Sequence, residues 1–238
     1  MSNTLNEMQQ LRLLFIKWSN FDLVEAEKMY DFVINERPKK LGAPVVKDDS
    51  KKLGTPVIKD RPDGIYFILS PNNIIHESSA TDEDKRNSIA VGVKMGNRFA
   101  NVVLHDAVGG EEIALCQEDK VPCGSKQFFH NTFWKAMSDW NGEANTNDMR
   151  SMLNPDINLG ENEYIPSVAQ LQLILLNIKE INKALEEAGG DPMKDDWYWS
   201  STEISSTNAW SVYFSNGGSY TDSKYTSYVI RPSLVCEF

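Results

Sequence analysis

Residues 197–234 read WYWSSTEISSTNAWSVYFSNGGSYTDSKYTSYVIRPSL, and in the middle of this stretch apolar residues alternate with small polar ones. Trp210, Val212 and Phe214 stand at every second position, which is the period of a strand with one buried face. The serine and tyrosine residues between them are predicted to point to the opposite face, away from the core. The stretch therefore predicts a sheet with an apolar inner face and an outer face of serine and tyrosine.

The segment from Ile204 to Tyr228 has an unusual composition for a protein surface. Of its 25 residues, 19 are Ser, Thr, Tyr, Asn, Gly or Asp, and its only charged residues are Asp222 and Lys224. Tyrosine supplies rigid contact area while Ser, Gly and Asn supply adaptable hydrogen bonds, as in antibody paratopes. We interpret the segment as a nearly neutral binding surface whose affinity depends little on salt. A solvated loop rich in Ser and Thr is the alternative interpretation of the same composition.

A family resemblance rests on a specific set of residues in this stretch. They are Trp199-Ser200-Ser201-Thr202-Glu203, Ala209-Trp210, Val212, Phe214, Gly217, Lys224 and Arg231-Pro232. Their order resembles the variable region of diversity-generating retroelement target proteins with a C-type-lectin fold. In that family an error-prone reverse transcriptase rewrites adenines in Asn-type codons and leaves the remaining frame unchanged. The resemblance implies a non-enzymatic ligand- or receptor-binding protein with a hypervariable region at about residues 197–235.

Certain residues of this chain fall on the rewritten positions of that pattern, and we call them the candidate binding positions. They are Ile204, Ser205, Thr207, Asn208, Ser211, Tyr213, Ser215, Gly218, Tyr220, Thr221, Asp222, Ser223, Tyr225, Thr226 and Tyr228. Changes of adenine alone convert an AAC or AAT codon into a codon for each of these residues. None is Lys, Glu, Gln, Met or Trp, which such changes cannot produce. The four tyrosines are expected to dominate binding, and their polar neighbours to adjust specificity.

The best-defined helix is predicted to begin after Ser167, which forms a capping box with Gln170. Its apolar stripe consists of Leu171, Ile174, Leu175, Ile178, Ile181 and Leu185. Gly189-Gly190 supplies a left-handed exit, so one long core helix is expected. The order of Tyr164-Ile165-Pro166, this helix and the Trp-rich stretch again resembles the target proteins. The likeness covers residues 63–238 and implies an α+β, C-type-lectin-like ligand-binding domain with short antiparallel strands.

Local patterns predict the remaining elements of this domain. They are strands at residues 64–69, 89–93 and 99–104, a turn at Gly96-Asn97, a loop at 77–85, irregular chain at 108–124, and a helix over 128–140 that ends in a turn at Trp140-Asn141-Gly142.

Residues 1–62 lie outside the resemblance. Apolar spacing predicts a helix over residues 5–18 and a second helix that ends at Pro38. A repeat follows, in which residues 39–48 return almost unchanged as residues 51–60, and its Gly-x-Pro-Val core is typical of a turn that leads into extended chain. We interpret this part as an N-terminal helical appendage with a repeat-containing connector, and residues 36–62 as either extended chain or a pair of short edge strands. It is either a handle for homo-oligomerisation or virion attachment, or a pair of helices packed on its own domain.

Composition limits the class of protein. The chain has 238 residues, 41% of them hydrophobic and 24% charged, which is typical of a globular protein with one substantial core. Its net charge of −10 argues against a nucleic-acid partner and against an anionic membrane surface. The apolar patch at residues 11–16 is short and interrupted, so no signal peptide is expected, and no apolar run reaches the roughly 20 residues of a membrane span. Three cysteines suit a reducing compartment better than a disulfide scaffold.

No catalytic, metal or cofactor site is expected from the sequence. The histidines at 76, 105 and 130 stand alone, and Cys116 and Cys123 are too far apart for a CxxC hook. The triplets with which C-type lectins bind sugar through calcium are incomplete, since Trp140-Asn141-Gly142 occurs without Glu-Pro-Asn. The alternatives of another class are an enzyme of the formylglycine-generating type, which shares the fold, and a lectin-fold structural module that is not diversified.

The resemblance also implies a setting for the protein. The expected partner is an unknown protein or cell-surface ligand, without nucleic acid and without membrane insertion. A phage tail or virion is the first location that fits, and the cytoplasm or display at a cell surface by a non-classical route is the second.

Overall fold

The computed structural model describes residues 61–117 and 129–237, so the predictions made for residues 1–60 lie outside the described residues. The first part of the fold is a sheet of β1 (Gly64–Ser70), β2 (Asn73–His76), β3 (Ala90–Met95) and β4 (Arg98–Val103). The strands pair antiparallel in the order β2-β1-β3-β4. The three predicted strands are confirmed, and β2 is an addition that pairs with β1 across a tight turn.

The Trp-rich stretch forms a second antiparallel sheet. It consists of β7 (Trp197–Glu203), β8 (Asn208–Tyr213) and β9 (Gly218–Ser223), with β8 in the centre. The described residues also form two short ladders. Strand β5 (Ile113–Ala114) pairs with β10 (Ser227–Tyr228), and β6 (Glu163–Tyr164) pairs with β11 (Ser233–Leu234). The architecture is therefore a mixture of antiparallel sheets and a few helices, as an α+β class requires.

Five α-helices and two short 3₁₀ turns lie in the described residues. They are α1 (Asp82–Arg86), α2 (Phe133–Met137), α3 (Gly142–Met149), α4 (Val168–Leu176) and α5 (Ile178–Glu187), with 3₁₀ turns at Ala107–Gly110 and Arg150–Met152. Within residues 108–117, expected to be irregular, the chain forms part of a 3₁₀ turn and the strand β5.

The loop predicted at residues 77–85 is wrong in its second half, because α1 begins there. The Thr81 hydroxyl accepts a hydrogen bond from the Asp84 amide at 3.1 Å, and the Asp84 carboxylate accepts one from the Thr81 amide at 2.9 Å. Thr-x-x-Asp is a capping-box sequence, so the signal was present. Lys85 then pairs with Glu187 on α5 at 2.9 Å, which ties this short helix to the core.

The helix predicted over residues 128–140 is shorter than expected, since α2 is capped by Thr132 and ends at Met137. The turn predicted at Trp140-Asn141-Gly142 instead opens the next helix, α3. A Cβ at residue 142 would lie 2.3 Å from the Gln170 side-chain oxygen. Glycine is therefore required there by the close approach of two helix starts, and it does not mark a helix end.

The long core helix is two helices, α4 and α5, separated at Asn177. The predicted start is confirmed, because Ser167 and Gln170 form both bonds of a capping box. The Asn177 side chain donates to the Leu173 carbonyl at 2.9 Å, while the Asn177 amide bonds to the Ile174 carbonyl. A side-chain amide that takes a helical carbonyl competes with the helix ladder. The apolar stripe continues across the break, which is why periodicity alone does not reveal it.

The two helices fill the space between the two sheets. Helix α4 packs against β4 of the first sheet and against β7 and β8 of the second, while α5 packs against β1 and β3. Leu171 and Ile174 of α4 are completely buried. The core-facing side of β8 carries Trp210 and Val212, and Phe214 follows directly after the strand; all three are buried, so the predicted apolar face is confirmed.

Because Tyr198 is buried in the core, the free energy of unfolding is expected to decrease at alkaline pH. Its side chain is fully buried, its hydroxyl accepts a hydrogen bond from the Lys194 amide, and burial raises its pKa. In the unfolded chain the Tyr198 hydroxyl loses its proton at a pKa of about 10, whereas in the folded protein it keeps the proton to higher pH. The stabilisation is therefore complete below about pH 10 and is lost as pH rises from the unfolded pKa through the folded pKa. We expect Tyr198→Phe to make the loss of unfolding free energy above pH 10 less steep by up to about 1.4 kcal/mol per pH unit. Urea melts at pH 8, 10 and 11 measure this, and equal slopes for both proteins would contradict it.

Candidate functional site

The register of the second sheet decides which candidate binding positions share a face. Tyr213 lies opposite Trp197 on one side and Gly218 on the other, and Ser211 lies opposite Tyr220. Because cross-strand partners point to the same side of a sheet, these five residues face one way, opposite to the core-facing side.

Trp197 is the centre of an aromatic cluster on this face. Its ring stacks on Tyr213, with centroids 4.6 Å apart, and on Tyr228, with centroids 5.2 Å apart; both interplanar angles are 15°. The Tyr220 ring lies 4.8 Å away at a tilt. We call Trp197, Tyr213, Tyr220 and Tyr228 the aromatic cluster. It brings together three of the four candidate tyrosines around one residue of the frame.

Gly218 and Asn216 determine the position of the Tyr220 ring. A Cβ at Gly218 would lie 2.4 Å from the Tyr220 ring, so the ring occupies the space that a side chain at 218 would fill. The Asn216 side-chain amide donates to the Tyr220 hydroxyl at 3.2 Å. Tyr220 is nevertheless 42% exposed, and Tyr225, in the turn after β9, is 39% exposed. These two tyrosines offer the most accessible aromatic area in this region.

Tyr228 reaches the cluster because its segment runs beside β7. The Val229 amide donates to the Trp197 carbonyl, and the Trp199 amide donates to the Val229 carbonyl, each at 3.0 Å. Partial burial, with the nearby Asp222 and Glu112 carboxylates, raises the pKa of Tyr228 to about 12. Its phenol therefore stays neutral and able to donate a hydrogen bond throughout the physiological pH range.

The candidate binding positions differ in exposure. The exposed members are Thr207, Ser215, Tyr220, Thr221 and Tyr225, and the half-buried members are Ile204, Ser205, Asn208, Tyr213, Gly218, Asp222, Ser223, Thr226 and Tyr228. Asn208, Thr221 and Ser223 alternate with the cluster residues along their strands, so they lie on the other side of the sheet, at its β9 edge. The candidate positions thus form one aromatic face, one strand edge and the adjoining loops.

Ser211 is the exception, because the outward-facing position predicted for it is completely buried. Its strand is the central one, and its neighbour on β7 is Trp199, which belongs to a hydrophobic cluster with Leu115 and Ile230. The Ser211 hydroxyl donates to the Asp222 carboxylate at 3.1 Å. The outer face of the sheet is therefore covered at this point, and Ser211 supports Asp222 without reaching solvent.

A buried ion pair beneath the loops links several candidate binding positions. The Lys224 ammonium bonds to the Glu203 carboxylate, and both side chains are almost fully buried. The ammonium also donates to the carbonyls of Ser205 and Ser206 at 3.2 and 3.1 Å, and the Lys224 amide donates to the Thr207 carbonyl at 3.0 Å. Burial lowers the pKa of Lys224, and the bond to Glu203 opposes that shift.

Arg231 holds a second loop beside the aromatic cluster. Its buried guanidinium pairs with Asp106 at 2.5 Å and donates to the carbonyls of Val103, Leu104 and Asp191. The chain after Asp106 then passes through Ala107–Gly110 to reach Ile113, which pairs with Tyr228. The family pattern contains Glu203, Lys224 and Arg231, but the sequence alone does not reveal that each of them fixes a loop.

The structure shows the surroundings of two of the histidines and of Cys116. Within 61–117 and 129–237, no group of three or more His, Cys, Asp or Glu side chains is placed to hold a metal ion. His105 bonds to Asp191 at 2.8 Å, and His130 lies 3.6 Å from the buried Asp139. Cys116 is disulfide-bonded, so the expectation of reduced cysteines is wrong for this residue. The spacing of cysteines in a sequence does not reveal which of them meet in space.

No helix among the described residues has the length and apolar character needed to cross a membrane. No protein-family model, curated protein or solved structure matches this chain.

Proposed function

We propose that this chain is a non-enzymatic binding protein with a C-type-lectin-like fold, and that a retroelement diversifies its C-terminal surface. The observation that carries the proposal is the aromatic cluster. Tyrosines at positions open to adenine rewriting gather around Trp197, a residue that such rewriting cannot produce. A fixed tryptophan would thus give a constant base to a variable surface.

Separation of frame and surface supports diversification. Trp199, Trp210, Lys224 and Arg231 are buried and hold the sheet and the loops, whereas most candidate binding positions are exposed or half-buried. Substitutions away from core contacts usually change stability by less than about 0.5 kcal/mol. A surface of this kind can change repeatedly without loss of the fold. Ser211 is the position at which rewriting would be most restricted.

A receptor-binding role on a phage tail or another exposed surface fits this proposal best. The disulfide at Cys116 adds support, because disulfides persist in oxidising surroundings and are rare in the cytosol. A genomic observation tests the diversification directly. We expect a near-copy of the DNA for residues 197–235, with adenines at the codons of the candidate binding positions, beside a reverse transcriptase gene. A locus with neither would leave a binding protein that is not diversified.

Exposed tyrosines are expected to supply most of the affinity, because each buries a large area while losing little conformational freedom. Peptides selected from a random dodecapeptide display library on the full chain provide the probe. We expect Tyr220→Ala and Tyr225→Ala each to weaken binding of a selected peptide by about 1–3 kcal/mol, with Ser215→Ala as a nearly neutral control. Titration calorimetry measures the loss, and thermal melts check that the fold is retained. Selected peptides that bind both variants as well as wild type would argue against the proposal.

A further inference from the structure

We propose that the partner presents a cationic, arginine-bearing protein segment to the aromatic cluster and to Tyr225. This inference rests on the proposed function and deepens it by giving the chemical class of the ligand.

Residues outside the variable segment make the surroundings of the cluster acidic. Asp196 directly precedes Trp197, and its carboxylate accepts a hydrogen bond from the Trp197 amide at 2.7 Å. Asp195 beside it is exposed. Glu111 and Glu112 are exposed at the start of β5, whose Ile113 pairs with Tyr228. Asp195 and Asp196 come from one part of the chain and Glu111 and Glu112 from another, and the pairing of β5 with β10 brings the second part beside Tyr228 only in the folded protein.

Inside the variable segment, the negative charge stays accessible while the positive charge is buried. Asp222 is half-buried on the same face as Tyr220, whereas the Lys224 side chain has no solvent exposure and is paired with Glu203. The sequence of residues 204–228, with one Asp and one Lys, predicts a nearly neutral surface. The structure corrects this prediction, because only one of the two charges faces solvent.

Little positive charge opposes these carboxylates. Arg231 is buried and paired with Asp106. Lys194 is half-exposed, but its ammonium donates to the Gly110 carbonyl at 2.7 Å and lies 3.9 Å from Asp106. Across residues 61–117 and 129–237 there are 23 Asp and Glu against 12 Lys and Arg, a difference of −11. The charge near the cluster therefore has the same sign as that of the described part as a whole.

Arginine is the side chain that fits both features. A guanidinium stacks on the face of an aromatic ring and at the same time forms two parallel hydrogen bonds to a carboxylate. Tyr220 and Asp222 lie two residues apart on one face of β9, so a ring and a carboxylate are within reach of one such side chain. Phosphorylated, sialylated or nucleic-acid ligands would instead meet like charge, which is unfavourable.

The test uses the full chain and the same random dodecapeptide library. We expect the selected peptides to be enriched in arginine, and replacement of their arginines by lysine or citrulline to weaken binding. The triple variant Glu111→Gln, Glu112→Gln, Asp222→Asn should weaken binding by about tenfold at low salt, because it removes three carboxylates that can pair with the arginines of the peptide. A matched triple, Glu180→Gln, Glu186→Gln, Glu237→Gln, removes the same charge elsewhere and should change binding little. Wild-type affinity should fall as salt rises, more steeply than that of the first triple variant.

The outcomes separate this inference from the proposed function. Three results, each with peptides that still require Tyr220 and Tyr225, would overturn the cationic partner and leave a binding surface in place. The peptides could lack arginine, they could keep their affinity when arginine is replaced by lysine, or they could bind the two triple variants equally. Binding that ignores the tyrosines would overturn both. Thermal melts of each variant show whether a loss of affinity comes from the surface or from the fold.

Discussion

Replacing Lys224 by methionine is expected to lower the free energy of unfolding by about 3–5 kcal/mol, because it leaves the buried Glu203 carboxylate without its countercharge. The ammonium makes two further hydrogen bonds, to the Ser205 and Ser206 carbonyls, and so closes the loop between β7 and β8. Methionine has a similar length but donates no hydrogen bond. Urea melts at pH 7 measure the difference.

The control for this prediction is the double variant Glu203→Met, Lys224→Met. Replacing both members of a buried pair by apolar residues of similar volume is often nearly neutral, whereas removing one member is not. We therefore expect the double variant to be more stable than Lys224→Met alone. Two results would show that the pair does not hold the loop as described. One is a free energy of unfolding for Lys224→Met within about 1 kcal/mol of wild type, and the other is a double variant less stable than Lys224→Met.

Trp210→Ala is expected to lower the free energy of unfolding by about 3–5 kcal/mol, as for other buried aromatic residues. Trp210 is 6% exposed, its indole donates to the His130 carbonyl at 2.9 Å, and its ring meets Phe133 edge-on. Alanine would leave a cavity and an unpaired carbonyl. Trp210→Phe keeps part of the ring and should cost less, which separates packing from the hydrogen bond.

The surface control for Trp210 is Thr221, which lies directly opposite it on β9 but is exposed. We expect Thr221→Ala to change the free energy of unfolding by less than about 1 kcal/mol. Denaturant melts of the three variants at one temperature settle the comparison. Equal losses for Thr221→Ala and Trp210→Ala would mean that the buried frame and the exposed positions do not differ in what they contribute to stability.

Much of this fold could be predicted because its signals are local. The alternation at Trp210, Val212 and Phe214 gives the strand and its buried side, and Ser167 with Gln170 gives the start of α4. The break at Asn177 could not be predicted from the stripe, since the apolar period continues through it. It depends on a hydrogen bond from the Asn177 side chain to its own helix, which periodicity does not report.

The set of candidate binding positions stays a prediction, and their arrangement in space could not be predicted from the sequence. Adenine changes in AAC or AAT codons can produce tyrosine at these positions. They do not show that Tyr213, Tyr220 and Tyr228 meet at Trp197, because strand pairing brings these residues together. The alternation of apolar and polar residues in β8 predicts an exposed side chain for Ser211, whereas in the structure other segments of the chain cover it. Two-residue periodicity gives the side of a strand, whereas exposure depends on what the rest of the chain places over that side.

The central claim is that recognition resides in exposed positions that the fold does not need. One variant tests it most directly, in which Thr207, Ser215, Tyr220, Thr221 and Tyr225 are all replaced by Asn, the residue from which adenine rewriting starts. We expect a cooperative urea melt within about 2 kcal/mol of wild type and binding of the selected peptide weakened by about 100-fold or more. An unfolded variant, or one that folds and still binds the peptide with wild-type affinity, would contradict the claim.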